Sequence, residues 1–513
     1  MIVLNYPLIL STVVVPYVAA FVSWVSGNRL SPKAHAILNF ASLAYGFALF
    51  TALSGIYGLG VVIRDPEVYF IPTLGRFSFL MDASTFPALI SISLVTAVVS
   101  LYSLPYMRHR FEELEKEGIR APSWGSYFLL YTLFSASMIG CLLGTNMIEF
   151  YVFLELTLIP SFLLIAFYGY GDRVRIAIMY LIWTHVGAVL FLLGALSVGF
   201  ISGFDFINPS TGKMLLGLGD GLPASVLYVA MWLMIVGLLV KVAVFGVHMW
   251  LPYAHAEAPT PVSALLSPCL IGIGALMLLR IVYVLFSSAI QTASPLLFVW
   301  ALITMVYGGF MALVQKDFKR LLAYSSISQM GYLLLGMASM NAFGMSGMIL
   351  HYMVHAFGKA ILFMTAGTLI VVLHGLRDIT KMGGLSSKLP YTGGLALIGF
   401  MHITGIPPTL GLWSEYLIVR GAIEYSMKLS PSYFIPSFIG LVVAIGLSTA
   451  YAFLTMKKVF YGRLPEGLKG AASAKRGLLL PMGLLAVAGI LSFILVGPML
   501  DPMMEVLKAL YGL

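Results

Sequence analysis

About fourteen stretches of this 513-residue chain are long and apolar enough to cross a lipid bilayer as helices. A spanning helix needs about 20 mostly apolar residues, and each backbone polar group must find its partner within the segment. The sequence therefore predicts an all-α polytopic membrane protein. The predicted spans are 6–26, 36–63, 84–104, 124–143, 147–169, 174–203, 224–251, 262–286, 295–314, 321–340, 343–373, 391–424, 433–456 and 477–498.

The composition excludes a soluble fold of this length. Only 10% of the residues are charged, against about 25% in soluble domains, and 60% are hydrophobic. The net charge of +9 falls in short loops between spans, which argues against a nucleic-acid partner. Cys141 and Cys269 are too few to ligate an iron–sulfur cluster, so we expect no cofactor in this chain. The nine Asn and Gln residues favour a thermophilic source.

The distribution of Lys and Arg predicts the orientation. Of the 29 basic residues, 20 fall in loops on one side, 6 on the other and 3 inside spans. Because basic loops are retained in the cytoplasm, we expect both termini on the outer side of the cell membrane. No cleavage site follows the first apolar run, which is interpreted as a retained span. The outer segment 64–82 alternates apolar and polar residues and predicts a short hairpin.

Two ionisable residues lie near the middle of predicted spans. Glu155 occurs in FYVFLELTLIP and Lys241 in MIVGLLVKVAVFG. Such a group costs at least about 2.5 kcal/mol in a bilayer, so each needs a partner, a cavity or a function. We expect the two to face each other and to exchange a proton. For any one such residue the alternative is a structural ion pair, or a side chain that reaches the membrane surface.

A third set of ionisable residues forms a helical stripe. His351, His355 and Lys359 recur at i, i+4 and i+8, which places them along one face over about 12 Å. Titratable side chains aligned inside a span are suited to carrying protons, and His does so near neutral pH. The alternative is a zinc site, since His at i and i+4 can share a metal. Lys359 is a poor ligand, and no H-E-x-x-H motif is present.

Two proline-rich segments predict interrupted helices in the seventh and twelfth spans. In HMWLPYAHAEAPTPVSALLSP, three prolines surround the ionisable residues His248, His255 and Glu257. In HITGIPPTLGLWSEYL, two prolines precede Glu415. Broken helices at membrane depth persist only where they are buried or line a cavity, and paired breaks are typical of inverted-repeat transporters.

Three further residues are secondary candidates for the ion route. His185 lies in YLIWTHVGAV, and its alternative is a hydrogen-bonded core histidine. Asp82 lies before the third span, and its alternative is a helix cap. His402 lies in the twelfth span just before its prolines.

Several ordered motifs make this chain resemble a known superfamily. They are VKVAVFGVHMWLPYAHAEAPTPVSALL from Val240, QKDFKRLLAYSSISQMGY from Gln315, HAFGKAILF from His355 and GIPPTLGLWSE from Gly405. The chain resembles the antiporter-like subunits of complex I, particularly the M type, the large D-like subunits of Mrp sodium/proton antiporters, and the H-like subunit of archaeal membrane-bound hydrogenases. The resemblance implies two inverted five-helix repeats with helices 7 and 12 broken. It also implies four segments. They are the N-terminal helices 1–3 (1–123), the first repeat (124–286), the second inverted repeat (287–460), and a C-terminal loop with helix 14 (461–513).

The resemblance also assigns roles to individual residues. It implies that Glu155 and Lys241 are the family's Glu of span five and Lys of span seven. The stripe His351, His355 and Lys359 then matches the polar stretch that links the two halves, and Glu415 matches the terminal site of span twelve, which is Glu in M-type subunits. One position departs from the family: Gly272 stands where many relatives carry a Lys in span eight.

These observations favour an ion-translocating subunit of a redox-driven, complex I-like respiratory assembly. We expect the ion to be a proton or sodium, the partners to be other membrane subunits, and the iron–sulfur clusters and other redox centres to lie on those partners. This subunit would then have no active site of its own. The alternatives are an Mrp-type antiporter without a redox arm, a structural subunit with a degenerate channel, and a membrane metallo-hydrolase that uses His248, His255 and Glu257.

Overall fold

The computed structural model of this chain describes residues 1–208 and 211–511, and most of these residues are helical. The first nine helices are α1 (Leu8–Ser26), α2 (Pro32–Tyr57), α3 (Phe86–Lys116), α4 (Trp124–Leu143), α5 (Met147–Tyr168), α6 (Arg173–Ser202), α7 (Ala224–Val242), α8 (Trp250–Glu257) and α9 (Thr260–Leu265). The others are α10 (Ile271–Met277), α11 (Ala289–Val314), α12 (Phe318–Ala338), α13 (Ala342–Val372), α14 (Pro390–Ile403), α15 (Gly411–Leu429), α16 (Pro431–Val459), α17 (Arg476–Ile494) and α18 (Val496–Tyr511). Two π-helical segments, Leu266–Leu270 and Leu278–Tyr283, flank α10. The last two residues of the predicted segment 461–513 lie outside the described residues.

The helices confirm the predicted fold class. Thirteen helices among the described residues are long and apolar enough to cross a membrane, with Thr260–Tyr283 counted as one span. The predicted twelfth span consists of two shorter pieces, α14 and α15. This chain is therefore a multi-pass membrane protein. The two inverted repeats stay a prediction.

Both predicted helix interruptions are present, but one lies elsewhere than expected. Span seven breaks between Val242 and Trp250, where Ala243 adopts the left-handed conformation with φ 61°. Pro252 lies after this break, inside α8, and Pro259 caps α9. The prolines therefore separate spans seven and eight instead of causing the break within span seven. Span twelve breaks between Ile403 and Gly411, as the sequence predicts.

The hairpin predicted within 64–82 is also confirmed. Strands Tyr69–Ile71 and Gly75–Phe77 pair antiparallel, with Phe70 opposite Arg76. A second sheet joins Ile2–Val3, Ile63–Arg64 and Leu80–Met81 in that order. It ties the N-terminus to the segment before α3.

Helix α13 is the centre of the bundle. Its side chains are buried along almost its whole length, and it packs against α3, α12, α14, α15 and α17. The short helix α18 was not predicted as a separate element. It buries Met503, Val506 and Leu507 and contacts α13, while its charged residues stay exposed. A stripe on α13 is consequently shielded from lipid on all sides.

A buried ion pair joins the start of α3 to span eight. Asp82 and Arg280 lie 2.7 Å apart, and both side chains are almost fully buried. Asp82 also accepts hydrogen bonds from the backbone N–H groups of Ser84 and Thr85 at 2.8 and 3.1 Å. Burial opposes its charge, but Arg280 and Ser84 hold the pKa of Asp82 below its ordinary value. Asp82 therefore has the geometry of a structural carboxylate that holds the turn before α3 and pairs with Arg280, while the N-cap residue of α3 is Thr85.

We predict that Asp82→Ala destabilises the protein by about 3–5 kcal/mol, because it leaves the Arg280 guanidinium buried without its carboxylate. Thermal unfolding of the detergent-solubilised protein checks this. Asp501→Ala removes an exposed carboxylate and is the matched control. The double variant Asp82→Ala/Arg280→Met should recover part of the loss. Equal melting temperatures for Asp82→Ala and the control would contradict the structural role.

Candidate functional site

The predicted stripe lies on α13 in the middle of the protein. His351, His355 and Lys359 are all within 1% of full burial. His351 links three helices: its Nε2 donates to Gln329 Oε1 of α12 at 2.8 Å, and its Nδ1 lies 3.0 Å from Ser414 Oγ of α15. The ring of Tyr332 stacks on it, with centroids 5.3 Å apart. His351 therefore couples the stripe to the second half of the broken twelfth span.

Lys359 occupies the other end of the stripe. Its Nζ donates to the Leu322 carbonyl at 3.1 Å and to the Ser325 hydroxyl, both on α12. These partners are neutral dipoles, and no carboxylate of residues 1–208 or 211–511 forms an ion pair with Nζ within 4.0 Å. Such a group is able to change its protonation state without breaking an ion pair.

His255 connects the stripe to the broken seventh span. It lies on α8, is fully buried, and stacks on Phe363 of α13 with centroids 5.0 Å apart. It interacts electrostatically with both Lys359 and Lys319. In the described part of the chain neither of its ring nitrogens has a hydrogen-bond partner, and the same holds for Nε2 of His355. The stack on Phe363 therefore joins α8 to the face of α13 that carries the stripe.

Lys241 is the penultimate residue of α7, directly before the break, and is 3% exposed. It interacts electrostatically with Glu155 of α5 and with the thiol of Cys141. Across residues 1–208 and 211–511, however, no ion pair within 4.0 Å joins it to Glu155. The expectation that Glu155 and Lys241 contact each other directly is therefore wrong, although the two groups interact electrostatically.

The direct partner of Glu155 is His185 of α6. His185 Nδ1 lies 3.2 and 3.3 Å from the two carboxylate oxygens. The histidine side chain is 52% exposed and the glutamate 20%. The interpretation of His185 as a core histidine is wrong, because α5 and α6 pack side by side and turn both groups toward the outer surface of the bundle.

Glu415 lies in the first turns of α15, just after the break in span twelve, and is 8% exposed. Its carboxylate packs into the break, where Gly405 has φ 65° and an added Cβ would lie 2.5 Å from Oε2. Oε1 has no hydrogen-bond partner among the residues that the structure describes. Because Ser414 touches His351, Glu415 lies next to the far end of the stripe.

The remaining candidates are peripheral to this group. His248 lies in the break of span seven, with Nε2 3.1 Å from the Tyr307 hydroxyl. The Nδ1–H of His402 donates to the Ile398 carbonyl of its own helix at 2.9 Å, and the ring packs against Gly489. Glu257 is half-buried at the end of α8. Within the described ranges, no three His, Cys, Asp or Glu side chains converge as a metal site.

The structure gives a packing reason for Gly272. A Cβ at this position would lie 2.5 Å from Cε2 and 2.6 Å from Cδ2 of Tyr352. The buried ring therefore fills the space next to span eight, and its hydroxyl donates to the Cys269 carbonyl at 2.5 Å. A longer side chain at 272 has no room while this ring is in place.

Sequence reasoning missed several buried ionisable residues, among them Glu149 and Lys319. Lys319 was expected in an inner loop, but it is the second residue of α12 and is completely buried. Its Nζ donates to the Ala258 carbonyl at the junction of α8 and α9. The charged residues of QKDFKR made this segment resemble a solvated loop. The burial of Lys319 could have been predicted from its position one turn before Leu322, on the buried side of an apolar helix.

Comparisons with known proteins agree with the resemblance drawn from the motifs. Residues 144–440 match the family described as NADH:quinone oxidoreductase/Mrp antiporter, transmembrane. NADH-quinone oxidoreductase subunit M of Rickettsia felis is 31% identical over 341 residues, which are 66% of each chain. F(420)H(2) dehydrogenase subunit M of Methanosarcina mazei is 28% identical over 98% of this chain and 97% of its own. A chain of respiratory complex I from Thermus thermophilus with bound NADH superposes with a TM-score of 0.82 and 24% identity, covering 98% of this chain and 99% of that one.

We predict that Gly272→Ala destabilises the protein by about 1–3 kcal/mol, because the new Cβ meets the Tyr352 ring in a packed interior. Melting temperatures of the purified variants measure this. Tyr352→Phe keeps the ring and should give no relief, whereas Tyr352→Ala should make Gly272→Ala nearly neutral. Strictly additive effects of Gly272→Ala and Tyr352→Ala would contradict the contact.

Proposed function

We propose that this chain, which belongs to the NADH:quinone oxidoreductase/Mrp antiporter transmembrane family, carries protons across the cell membrane as one subunit of a redox-driven complex. The observation that supports this best is the buried series of ionisable side chains between the two broken helices. It consists of Lys241, His255, Lys359, His355, His351 and Glu415. Every member except Lys241 lies on α13 or on a helix that contacts it.

The proposed route uses neutral partners to keep each group able to titrate. Lys359 and His351 hydrogen-bond to a carbonyl, hydroxyls and an amide, and none of these fixes one charge state. Inside a protein of low dielectric, a proton that arrives at one group changes the cost of charge at its neighbours. Successive transfers along α13 then move charge between the two breaks, where unwound backbone supplies polar groups.

The chemistry of the side chains favours a proton over sodium. Hard cations are bound by several oxygen ligands, whereas the centre of this route carries imidazoles and an ammonium group. A lysine presents only N–H donors when charged and repels a second cation. Glu155 and Glu415 supply carboxylates at the two ends, but they lie on different halves of the bundle.

Glu155, His185 and Lys241 form the proposed switch at the first half of the route. Lys241 interacts electrostatically with Glu155, and Glu155 in turn contacts His185. A proton taken up by His185 or Glu155 changes the electrostatic attraction on Lys241 and so favours its deprotonation toward the break in span seven.

The names of the relatives favour a redox partner over a freestanding antiporter. The relatives from Rickettsia felis and Methanosarcina mazei are both named as subunits of oxidoreductases. We therefore propose that iron–sulfur clusters and other redox centres lie on partner subunits. We also propose that both termini face the outer side of the membrane. The chain is then organised into four segments, 1–123, 124–286, 287–460 and 461–513.

Purification of the tagged chain from its native membranes tests the proposal. We expect co-purifying subunits with flavin or iron–sulfur absorbance, and electron transfer that acidifies or alkalinises reconstituted vesicles. A pH-sensitive dye and radioactive sodium measure the two ions in parallel. Sodium movement by a complex without redox centres would favour the Mrp-type alternative.

We predict that Glu155→Gln and Lys241→Ala each abolish most proton translocation by the assembled complex. Because the two groups act as a unit, the double variant should be little worse than either single one. Lys213→Ala, which removes an exposed lysine, is the matched control. Wild-type translocation by either single variant would rule out the switch.

We predict that Glu415→Gln slows proton translocation by about 10²-fold without loss of the complex, because the amide keeps the shape but cannot carry a proton. Glu424→Gln, on the same helix but at the surface, should leave the rate unchanged. Vesicle assays of both variants provide the comparison. If Glu415→Gln and Glu424→Gln transport equally, the route ends elsewhere.

A further inference from the structure

Lys319 is a buried ammonium group with no counter-ion in contact. Its side chain is fully buried, and across the described ranges no carboxylate oxygen lies within 4.0 Å of Nζ. Asp317, two residues earlier, pairs instead with Arg377 at 2.8 Å. The contact of Lys319 is the Ala258 carbonyl. A buried charge of this kind is costly, which makes a function for it worth testing.

A cation and an aromatic ring separate Lys319 from the surface at this end of the bundle. The Nζ lies 6.0 Å from the centroid of the Tyr170 ring, and the guanidinium carbon of Arg110 lies 4.0 Å from the same centroid. Arg110 is held by Glu117, whose side chain is 47% exposed, at 2.9 Å. Burial raises the pKa of Tyr170 well above its ordinary value, so the phenol stays neutral and gives Lys319 no counter-charge.

On its inner side, Lys319 faces the proposed proton route. His255 interacts electrostatically with both Lys319 and Lys359. Lys359 donates to the Leu322 carbonyl, which lies one helical turn, about 4.5 Å of rise, beyond Lys319 on α12. His255, with both ring nitrogens free of protein partners in the described part of the chain, belongs to the same electrostatic group as the two lysines.

We propose that Lys319 is the proton-carrying residue at the Lys- and Arg-rich end of the route, and that it exchanges protons between that surface and His255. The inference rests on the proposed function. The neutral amine takes a proton from water on the surface side. The ammonium then gives that proton to a ring nitrogen of His255, and the N–H bond that breaks on Lys319 is replaced by one on the imidazole. Lys359 receives it next, which restores neutral His255.

The environment of Lys319 suits this exchange. Four charged side chains interact electrostatically with Lys319: Asp317, Glu257, Arg110 and Arg377. In the proposed exchange, the flexible four-carbon stem moves Nζ from the Ala258 carbonyl to His255. Arg110 and Tyr170 then control access from the surface.

The competing role is structural: Lys319 would simply tie α12 to the junction of α8 and α9. The two roles respond differently to substitution. Arginine at 319 keeps the positive charge and a donor to the Ala258 carbonyl, but it does not deprotonate. Histidine at 319 can titrate, but it connects α12 to that carbonyl less strongly. Lys316, exposed and three residues earlier, provides the matched control.

The test measures proton translocation by the whole purified complex in vesicles for Lys319→Met, Lys319→Arg, Lys319→His and Lys316→Met. We expect losses of about 10²-fold for the Met and Arg variants at 319, and none for Lys316→Met. Lys319→His should retain more activity than Lys319→Arg, with its pH optimum moved to lower pH. Equal activity of the Arg and His variants, or higher activity of Arg, would overturn the inference. So would failure of all three variants at 319 to assemble.

The wild-type complex separates this inference from the proposed function. If wild-type vesicles move no protons, the proposed function itself fails. If they move protons and Lys319→Met does so at the same rate, only the role of Lys319 is refuted.

Discussion

The free-energy cost of burying a charged side chain away from water determines which partners the ionisable groups of this protein need in its interior. Two sets of its buried ionisable groups meet that cost in different ways. Asp82 and Arg280 neutralise each other at 2.7 Å, which fixes both charges and joins α3 to span eight. Lys359 and His351 instead bond to carbonyl, hydroxyl and amide groups. An ion pair resists a change of protonation, whereas a neutral partner permits it, so the choice of partner separates structural charges from mobile ones.

The broken helices place mobile charges where backbone polarity is available. Lys241 ends α7 and Glu415 begins α15, so each lies next to unwound residues. At the second break, Gly405 allows the carboxylate of Glu415 to approach the backbone closely, because any Cβ there would collide with Oε2. Helix α13 remains continuous between these points, which keeps the spacing of its three ionisable residues fixed. The fixed spacing of the residues on α13 and the unwound backbone beside Lys241 and Glu415 suit the proposed route, in which protons enter and leave at the two breaks.

The spans, the hairpin and the stripe on α13 were predictable because each rests on local periodicity or length. A bilayer demands long apolar runs, and i, i+4 spacing places residues on one helical face whatever surrounds them. Contacts between helices were not predictable in this way. The rotation of α5 against α6 decides that Glu155 meets His185, and no pattern within either helix reports that rotation. The burial of Lys319 was likewise hidden, because four charged residues in QKDFKR have the composition of a solvated loop.

The ring of Tyr352 decides which side chain span eight can carry at position 272. At Gly272 the ring occupies the volume next to the helix, and its hydroxyl bonds to a π-helical carbonyl, so no titratable nitrogen projects from that position. His255 stacks on Phe363 of α13 and so offers the proposed route a contact between α8 and α13 that does not involve position 272. A longer side chain at 272 would require the Tyr352 ring to move away from span eight, and that ring belongs to α13, the helix that carries the ionisable stripe. The residue at 272 and the packing of span eight against α13 are therefore set together.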